Sequence, residues 1–261
     1  MKWFKGLLIN LQFFSTIPIP LELPMDRKHL QSAIQTFPLL GLLQGGIYAS
    51  ILYAIGEWTP FSALTAAFAL WLVSILFTGG IHLDGWMDSS DAYFSYRDQD
   101  KRLEIMKDPR TGAFGVLSVI VLLSARFFLL YEIVGMLHSA TYLLASAIPF
   151  LSRIVMGILL VMVKPAKSEG LGAMFHHAST KKTLWVYPVY LFGLGLVLLF
   201  TGLYIGMASY LLAVLFIVLF LKKKIIEWFG GMTGDTLGAS VELTEVLLWM
   251  TLWLLHYFAM G

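Results

Sequence analysis

The sequence predicts an all-α, polytopic membrane protein with about seven transmembrane helices. Of the 261 residues, 58% are hydrophobic and only 13% are charged, a composition that does not suit a surface facing water. A bilayer core about 30 Å thick needs roughly 20 apolar residues in a helix. Seven runs of about that length occur along the chain, and the charged residues cluster between them.

The seven candidate spans follow one another without an internal repeat or a linker. They are residues 37–57, 62–81, 113–135, 141–163, 183–204, 205–221 and 243–260. Only a tight glycine-containing turn separates the fifth from the sixth. Residues 1–20 are apolar but interrupted by Lys5, Asn10 and Gln12, so we expect an N-terminal helix lying in the membrane interface rather than a further span. Residues 1–261 are therefore predicted to form a single integral membrane domain.

Basic residues predict the orientation, because loops rich in Lys and Arg stay in the cytoplasm. They precede the first span and follow the second, fourth and sixth, whereas the other connections have none. The N-terminus is thus predicted to be cytoplasmic, in the cytoplasmic or inner membrane, with the three longest connections (roughly 82–112, 164–182 and 222–242) on the same side. A net charge of +2 is too small to indicate nucleic-acid binding, and the lack of cysteine excludes disulfides and thiol catalysis.

The strongest chemical signal is a row of acids directly after the second span. Asp84, Asp88 and Asp91 share one helical face through spacings of four and three residues. Crowded carboxylates at a membrane boundary repel one another unless a cation neutralises them, and Mg²⁺ prefers carboxylate and phosphate oxygens. The row predicts a Mg²⁺ site, the alternative being a solvated acidic helix end. His82 lies off that face and is a candidate for substrate contact, or else a boundary histidine bonded to a neighbour.

Basic side chains near the third and fourth spans are candidates for binding phosphate. Lys107 and Arg110 suit this role. Asp108, between them, could be a further metal ligand or a catalytic residue. The same segment could equally be a positive-inside anchor. Arg126 and Arg153 lie within apolar spans and should face the protein interior or reach outward. Arg153, near mid-span, is expected to have a buried acidic or phosphate partner.

A glycine-rich stretch at residues 230–239 could aim amides and hydroxyls at phosphate oxygens, although such a loop alone is a weak signal. Candidate groups in and after it are Thr233, Gly234, Asp235 (as a further metal ligand) and Glu242. The loop at residues 164–172 could close over a substrate or be an ordinary basic loop. Spacing gives no reason to assign a metal site to His176 and His177.

Together these segments resemble the cobalamin 5′-phosphate synthase family, the adenosylcobinamide-GDP ribazoletransferases. The matching pieces, in the same order, are residues 37–41, 79–85 with Asp88 and Asp91, 105–112, 152–153, 169–172, and 233–239 with Glu242. The sequence departs from the usual pattern at Trp86-Met87, Ala92 and Pro109. None of these departures removes a charged group, so they put loop geometry in doubt rather than the reaction.

The resemblance implies a Mg²⁺-dependent phosphotransferase that completes the nucleotide loop of vitamin B12. α-Ribazole or its 5′-phosphate would join adenosylcobinamide-GDP, and GMP would leave. The metal would be held by Asp84, Asp88, Asp91 and Asp235. Phosphate would be clamped by Lys107, Arg110 and Arg153, while one aspartate would accept the proton of the attacking hydroxyl.

Two other interpretations stay open from the sequence. A transporter also places charges at a membrane boundary, but it would spread ionisable groups toward mid-membrane, where only Arg153 is expected here. A lipid synthase of the CDP-alcohol phosphotransferase type uses an acidic stripe, but with a longer spacing and an Ala-Arg step that this sequence lacks. The sequence leaves open whether the chain forms homo-oligomers and whether the acceptor is phosphorylated.

Overall fold

The structure, a computed structural model, describes residues 2–259 as a bundle of α-helices. The helices are α1 (Lys2–Phe14), α2 (Arg27–Trp58), α3 (Ala63–Thr78), α4 (Ile81–Phe94), α5 (Gln99–Ile105), α6 (Ala113–Val134), α7 (Ser139–Met162), α8 (Leu171–Ala178), α9 (Tyr187–Phe200), α10 (Tyr204–Phe229) and α11 (Gly234–Phe258). A short 3₁₀ helix, Lys181–Val186, leads into α9. Within residues 2–259 there is no β-strand, only one isolated bridge between Pro165 and Met232. The predicted all-α class is confirmed.

Six helical segments in this part of the chain are long and apolar enough to cross a membrane. They are α2, α6, α7, the 3₁₀ helix continued by α9, α10 and α11. The pair α3 and α4 would make a seventh crossing if counted together. The prediction of about seven transmembrane helices is therefore confirmed.

A sharp turn separates α3 from α4. Gly79 and Gly80 have φ angles of 64° and 80°, which glycine adopts readily because it has no Cβ, and the two helices are bent by 85°. Helix α4 carries Asp84, Asp88 and Asp91 within 14 residues, and ionised acids are costly in hydrocarbon. We therefore take α3 as the membrane-spanning part of the pair and place α4 beyond the end of the crossing.

Helix α7 forms the centre of the bundle and packs mainly on α2. In its most apolar stretch 89% of the residues are buried, against 33% in α2. Contact with α2 is close because glycines lie in the interface: a Cβ at Gly41 would collide with the backbone of Pro149, and one at Gly45 with the backbone of Ser146. Close approach of two backbones at small residues is how membrane helices gain packing contacts.

Several predicted boundaries differ from the structure. The fifth and sixth spans meet at residues 201–203, where Gly202 has a φ of 75°, rather than at 204–205. The last helix begins at Gly234, nine residues before the predicted start at 243, and residue 260 lies outside the described residues. Helix α1 packs on α2, where the Asn10 side chain donates to the Ala33 carbonyl at 2.8 Å. Its placement in the membrane interface stays a prediction.

Candidate active site

Two of the predicted same-side connections are joined by backbone hydrogen bonds. The Ala166 amide donates to the Met232 carbonyl at 2.9 Å, and the Met232 amide donates to the Lys164 carbonyl at 2.9 Å. A Cβ at Gly231 would lie 2.6 Å from the Lys164 carbonyl oxygen, so only glycine fits this contact. The loop after α7 is thereby fixed against the loop that precedes α11.

The third connection attaches to the same end of the bundle through α5. The Gln99 side chain donates to the Glu227 carbonyl at 2.9 Å, and Arg102 Nη1 donates to the Trp228 carbonyl at 2.9 Å. These bonds satisfy carbonyl groups in the last turn of α10, which have no partner within the helix. The three connections predicted to share one side therefore meet at one end of the bundle.

Helix α4 lies very close to the start of α11. A Cβ at Gly85 would lie 2.7 Å from the Asp235 carbonyl oxygen, and one at Gly238 would lie 3.2 Å from His82 Cα. Thr233 is the N-cap of α11, and its hydroxyl accepts from the Thr236 amide at 3.1 Å. The contact at Gly85 brings the acids of α4 beside Asp235 in the first turn of α11.

The charges at this end of the bundle are mutually close. The pKa of Asp88 rises to about 6, because of burial first and then the negative charges of Asp84, Asp235 and Asp91. The pKa of Lys167 is lowered by burial and by the positive charge of Lys107, against the attraction of Asp235 and Asp88. Acids from two helices and two lysines from two loops therefore influence one another's charge at this end of the bundle.

Lys167 was missed as a specific candidate. Its loop was recognised as basic, but nothing in the local sequence distinguishes this lysine from its neighbours. The bridge between Pro165 and Met232 places it two residues away from a fixed contact with the loop before Asp235. A contact between segments so far apart in sequence is not visible from spacing.

The carboxylates of α4 and α11 are the groups available to bind the predicted cation. Among residues 2–259, no group of three or more acidic or histidine side chains is close enough to hold a metal as arranged. The donor types nevertheless fit a hard divalent ion, because Asp84, Asp88 and Asp235 contribute carboxylates, and burial followed by neighbouring negative charges raises the pKa of Asp88. The site therefore has the charge and the donor types that suit Mg²⁺, but its carboxylates are not close enough together to coordinate one ion as arranged.

Asp91 is bound to the start of α6, unlike the other acids of its row. Its Oδ2 accepts from the Gly112 amide at 2.7 Å and its Oδ1 from the Gly115 amide at 2.8 Å. Gly112 is the N-cap of α6 and makes no side-chain cap. Both carboxylate oxygens of Asp91 are thus engaged by the N-terminus of α6.

Asp108 and Arg110 bind each other instead of facing the acids. Arg110 Nε donates to Asp108 Oδ1 at 2.9 Å, and its Nη2 donates to Oδ2 at 2.6 Å. The arginine side chain is 86% exposed. These hydrogen bonds lower the pKa of Asp108 to about 2, which makes this carboxylate a weak proton acceptor at neutral pH.

Two ion pairs lie inside the bundle. Arg126 pairs with Glu242, and its Nη1 lies 3.5 Å from the Ser74 hydroxyl. Arg153 Nη1 lies 3.9 Å from Glu245 Oε1. All four charged residues are at most 4% exposed. Of the two positions expected for these arginines, both side chains take the interior one, and the buried partner of Arg153 is an acid, Glu245.

These pairs bear on two expectations. Glu242, a candidate for substrate binding, lies in the interior with Arg126. Only Arg153 is expected near mid-membrane, and in the structure Arg126, Glu242 and Glu245 are also buried by protein within the bundle. Arg153 also donates to the Gln44 side chain at 3.0 Å, so it contacts core residues of α2 and α11 rather than the acids of α4. The sequence signal that could have predicted these partners is the presence of acidic and basic residues within apolar spans, because such charges usually pair with one another.

The histidines have separate roles. His82 is 3% exposed and stacks on Phe14 with ring centroids 6.1 Å apart. Its Nε2 has no hydrogen-bond partner among residues 2–259. His176 Nδ1 lies 2.7 Å from the Leu160 carbonyl oxygen and fixes α8 to α7, whereas His177 is exposed.

Comparisons with known proteins agree over almost the whole chain. Residues 6–253 match the sequence model of the family described as cobalamin-5-phosphate synthase. An adenosylcobinamide-GDP ribazoletransferase of Geobacillus thermodenitrificans is 40% identical, covering 100% of this chain and 99% of that protein. Proteins of the same name from Desulfitobacterium hafniense (38%; 95% and 96% covered) and Acinetobacter baumannii (33%; 93% and 94%) are also similar. No solved structure matches the chain.

Proposed function

The chain belongs to the cobalamin-5-phosphate synthase family, and we propose that it transfers adenosylcobinamide phosphate from adenosylcobinamide-GDP to α-ribazole or α-ribazole 5′-phosphate. The relatives named adenosylcobinamide-GDP ribazoletransferase align over nearly their full length. The observation in the structure that carries the proposal is the acidic cluster of α4 and α11, with Lys107 and Lys167 beside it. The negative charge of a diphosphate is neutralised by cations. The lysines supply positive charge directly, and the acids would supply it by holding a metal ion.

The reaction is a phosphoryl transfer. The acceptor hydroxyl attacks the phosphorus nearer the cobinamide, a new P–O bond forms, and the bond to the bridging oxygen breaks. GMP leaves with that electron pair, while the hydroxyl proton passes to a carboxylate of the cluster. Lys107 and Lys167 stabilise the negative charge that moves onto the departing phosphate.

Asp84, Asp88 and Asp235 are the residues that would hold Mg²⁺. The bound ion would neutralise charge on the diphosphate. The three carboxylates come from two helices that meet at Gly85, so the packing of α4 on α11 sets their separation. Asp108 is a poorer proton acceptor than Asp88, because Arg110 holds the pKa of Asp108 at about 2, whereas that of Asp88 rises to about 6.

The site is proposed to face the cytoplasm, in the cytoplasmic membrane. Support comes from the basic residues of the connections that meet around it, since such loops are retained on the cytoplasmic side. Both substrates are polar and soluble, and a site at the end of the bundle can receive them without passage through lipid.

The alternatives have weaker support. A CDP-alcohol phosphotransferase would share the acidic row, but the named relatives act on a GDP-linked corrinoid. A transporter would use charged groups along a path through the membrane. Here the deep acids Glu242 and Glu245 are both paired with arginines, an arrangement suited to holding helices together.

Turnover by the purified protein in lipid nanodiscs tests the proposal. Adenosylcobinamide-GDP and α-ribazole should yield GMP in the presence of Mg²⁺, whereas a CDP-linked donor should yield no CMP. Asp88→Asn should lower turnover by about 100-fold or more, and Asp100→Asn, the same change at an exposed acid of α5, should not. No GMP from the wild-type protein would refute the reaction, and near-normal turnover of Asp88→Asn would refute the cation site alone.

A further inference from the structure

The link between Asp91 and α6 is a helix cap supplied from another helix. The first amides of an α-helix have no partner within the helix, and a side-chain acceptor just before the helix usually satisfies them. Gly112, at that position in α6, has no side chain to do so. Asp91 accepts from Gly112 and Gly115 across 21 and 24 residues of sequence.

The surroundings are shaped to admit this carboxylate. A Cβ at Gly112 would lie 2.5 Å from Asp91 Oδ1, and a Cβ at Gly115 would lie 2.5 Å from Asp91 Oδ2. Any other residue at either position would push the carboxylate away. Because its charge is negative, the carboxylate also interacts favourably with the positive end of the α6 dipole.

We infer that Asp91 is a positioning residue that fixes the start of α6, and the segment before it, rather than a ligand of the cation. This segment runs from the end of α5 to Gly112 and includes Lys107. Lys107 lies close enough to Lys167 to act on its charge. Insofar as Lys107 binds the diphosphate, the inference rests on the proposed function.

Hydrogen exchange of the metal-free protein tests the structural part. In Asp91→Ala the amides of Gly112 and Gly115 lose their acceptor, and the amides of residues 112–116 should exchange about fivefold faster or more. Asp91→Asn keeps one acceptor oxygen and should fall between wild type and alanine. Asp26→Ala is the matched control: Asp26 caps α2 by accepting from Lys28 and His29 at 2.9 and 3.2 Å, so it should loosen α2 and leave 112–116 protected.

Cation binding and kinetics test the functional part. Mn²⁺ titration followed by electron paramagnetic resonance should give Asp91→Asn an affinity within about twofold of wild type, whereas Asp88→Asn should bind about tenfold more weakly or worse. Asp91→Asn should raise KM for the GDP-linked donor. Lys107→Ala should raise the same KM, and the double variant should be no worse than Lys107→Ala, because residues acting through one contact are not additive.

Two results would overturn the inference. One is an Asp91→Asn protein that loses Mn²⁺ as Asp88→Asn does, which would make Asp91 a ligand. The other is unchanged exchange at residues 112–116 in Asp91→Ala. Failure of the proposed reaction is a separate outcome: the wild-type protein would release no GMP, yet the exchange and Mn²⁺ results would still decide whether Asp91 caps α6.

Discussion

Removing one member of the buried Arg126–Glu242 pair should destabilise the bundle more than removing both. The two side chains are 2% and 5% exposed, so the survivor of a single substitution would be a charge without solvent. Breaking a buried pair in this way costs about 3–5 kcal/mol. Replacing both partners by apolar residues of similar volume is often close to neutral.

The structure shows no second ion-pair contact for Glu242 among the described residues. After Arg126→Met, Glu242 would lose its direct partner, because Arg153 is in contact with Glu245 and Gln44. Proteins typically have about 5–15 kcal/mol of stability in total. A loss of about 3–5 kcal/mol is therefore a large share of the stability expected for the whole bundle.

Thermal unfolding in a mild detergent measures the effect. Arg126→Met and Glu242→Leu should each lower the unfolding midpoint clearly, and the double variant should recover most of the loss. Arg97→Met removes an exposed arginine and should leave the midpoint within error. The reasoning is refuted if Arg126→Met unfolds at the wild-type midpoint, or if the double variant is less stable than both single variants.

Three further outcomes follow from the site. Gly85→Ala should abolish turnover while the protein still inserts, because its Cβ would lie 2.7 Å from the Asp235 carbonyl oxygen; a normal kcat would contradict the close contact of α4 with α11. The Mg²⁺ concentration for half-maximal activity should rise as pH falls below about 6, because protons bind Asp88 below its pKa of about 6, and should stay flat from pH 7 to 8; flat behaviour down to pH 5 would count against Asp88 as a ligand. Arg110→Ala should raise KM less than about threefold, because this exposed arginine already binds Asp108 and exposed ion pairs contribute little; a rise as large as that of Lys107→Ala would indicate that Arg110 is a phosphate ligand.

The membrane architecture could be predicted because apolar length is a strong local signal. Each predicted span corresponds to a helix, and the break at Gly79-Gly80 falls where the apolar run meets the acids. The deep charges were harder to assign. Glu242 follows the glycine-rich stretch that resembles a phosphate-binding loop, so its place in the sequence indicates a role in substrate binding. Its partner Arg126 is 116 residues away, and that contact decides its role.

The start of α11 could not be predicted because the first residues of this helix include glycines. The glycines of residues 230–239 predict a loop, since glycine is unfavourable in helices. In the structure only the part before Gly234 is loop, and Thr233 caps the helix that follows. Gly238 is helical because α4 approaches so closely that a Cβ would lie 3.2 Å from His82 Cα. Tertiary packing, which spacing does not reveal, outweighs helix propensity here.

One face of α11 connects the interior of the bundle to the site. Asp235, Gly238, Glu242 and Glu245 recur at spacings of three and four residues, which places them on one side of the helix. Asp235 belongs to the acidic cluster, Gly238 contacts α4, and the two glutamates pair with arginines of α6 and α7. A slip of α11 by one residue, about 1.5 Å along its axis, would break both pairs. The buried pairs therefore help to fix the position of Asp235 along the axis of α11, relative to the acids of α4, although none of their charges belongs to the acidic cluster.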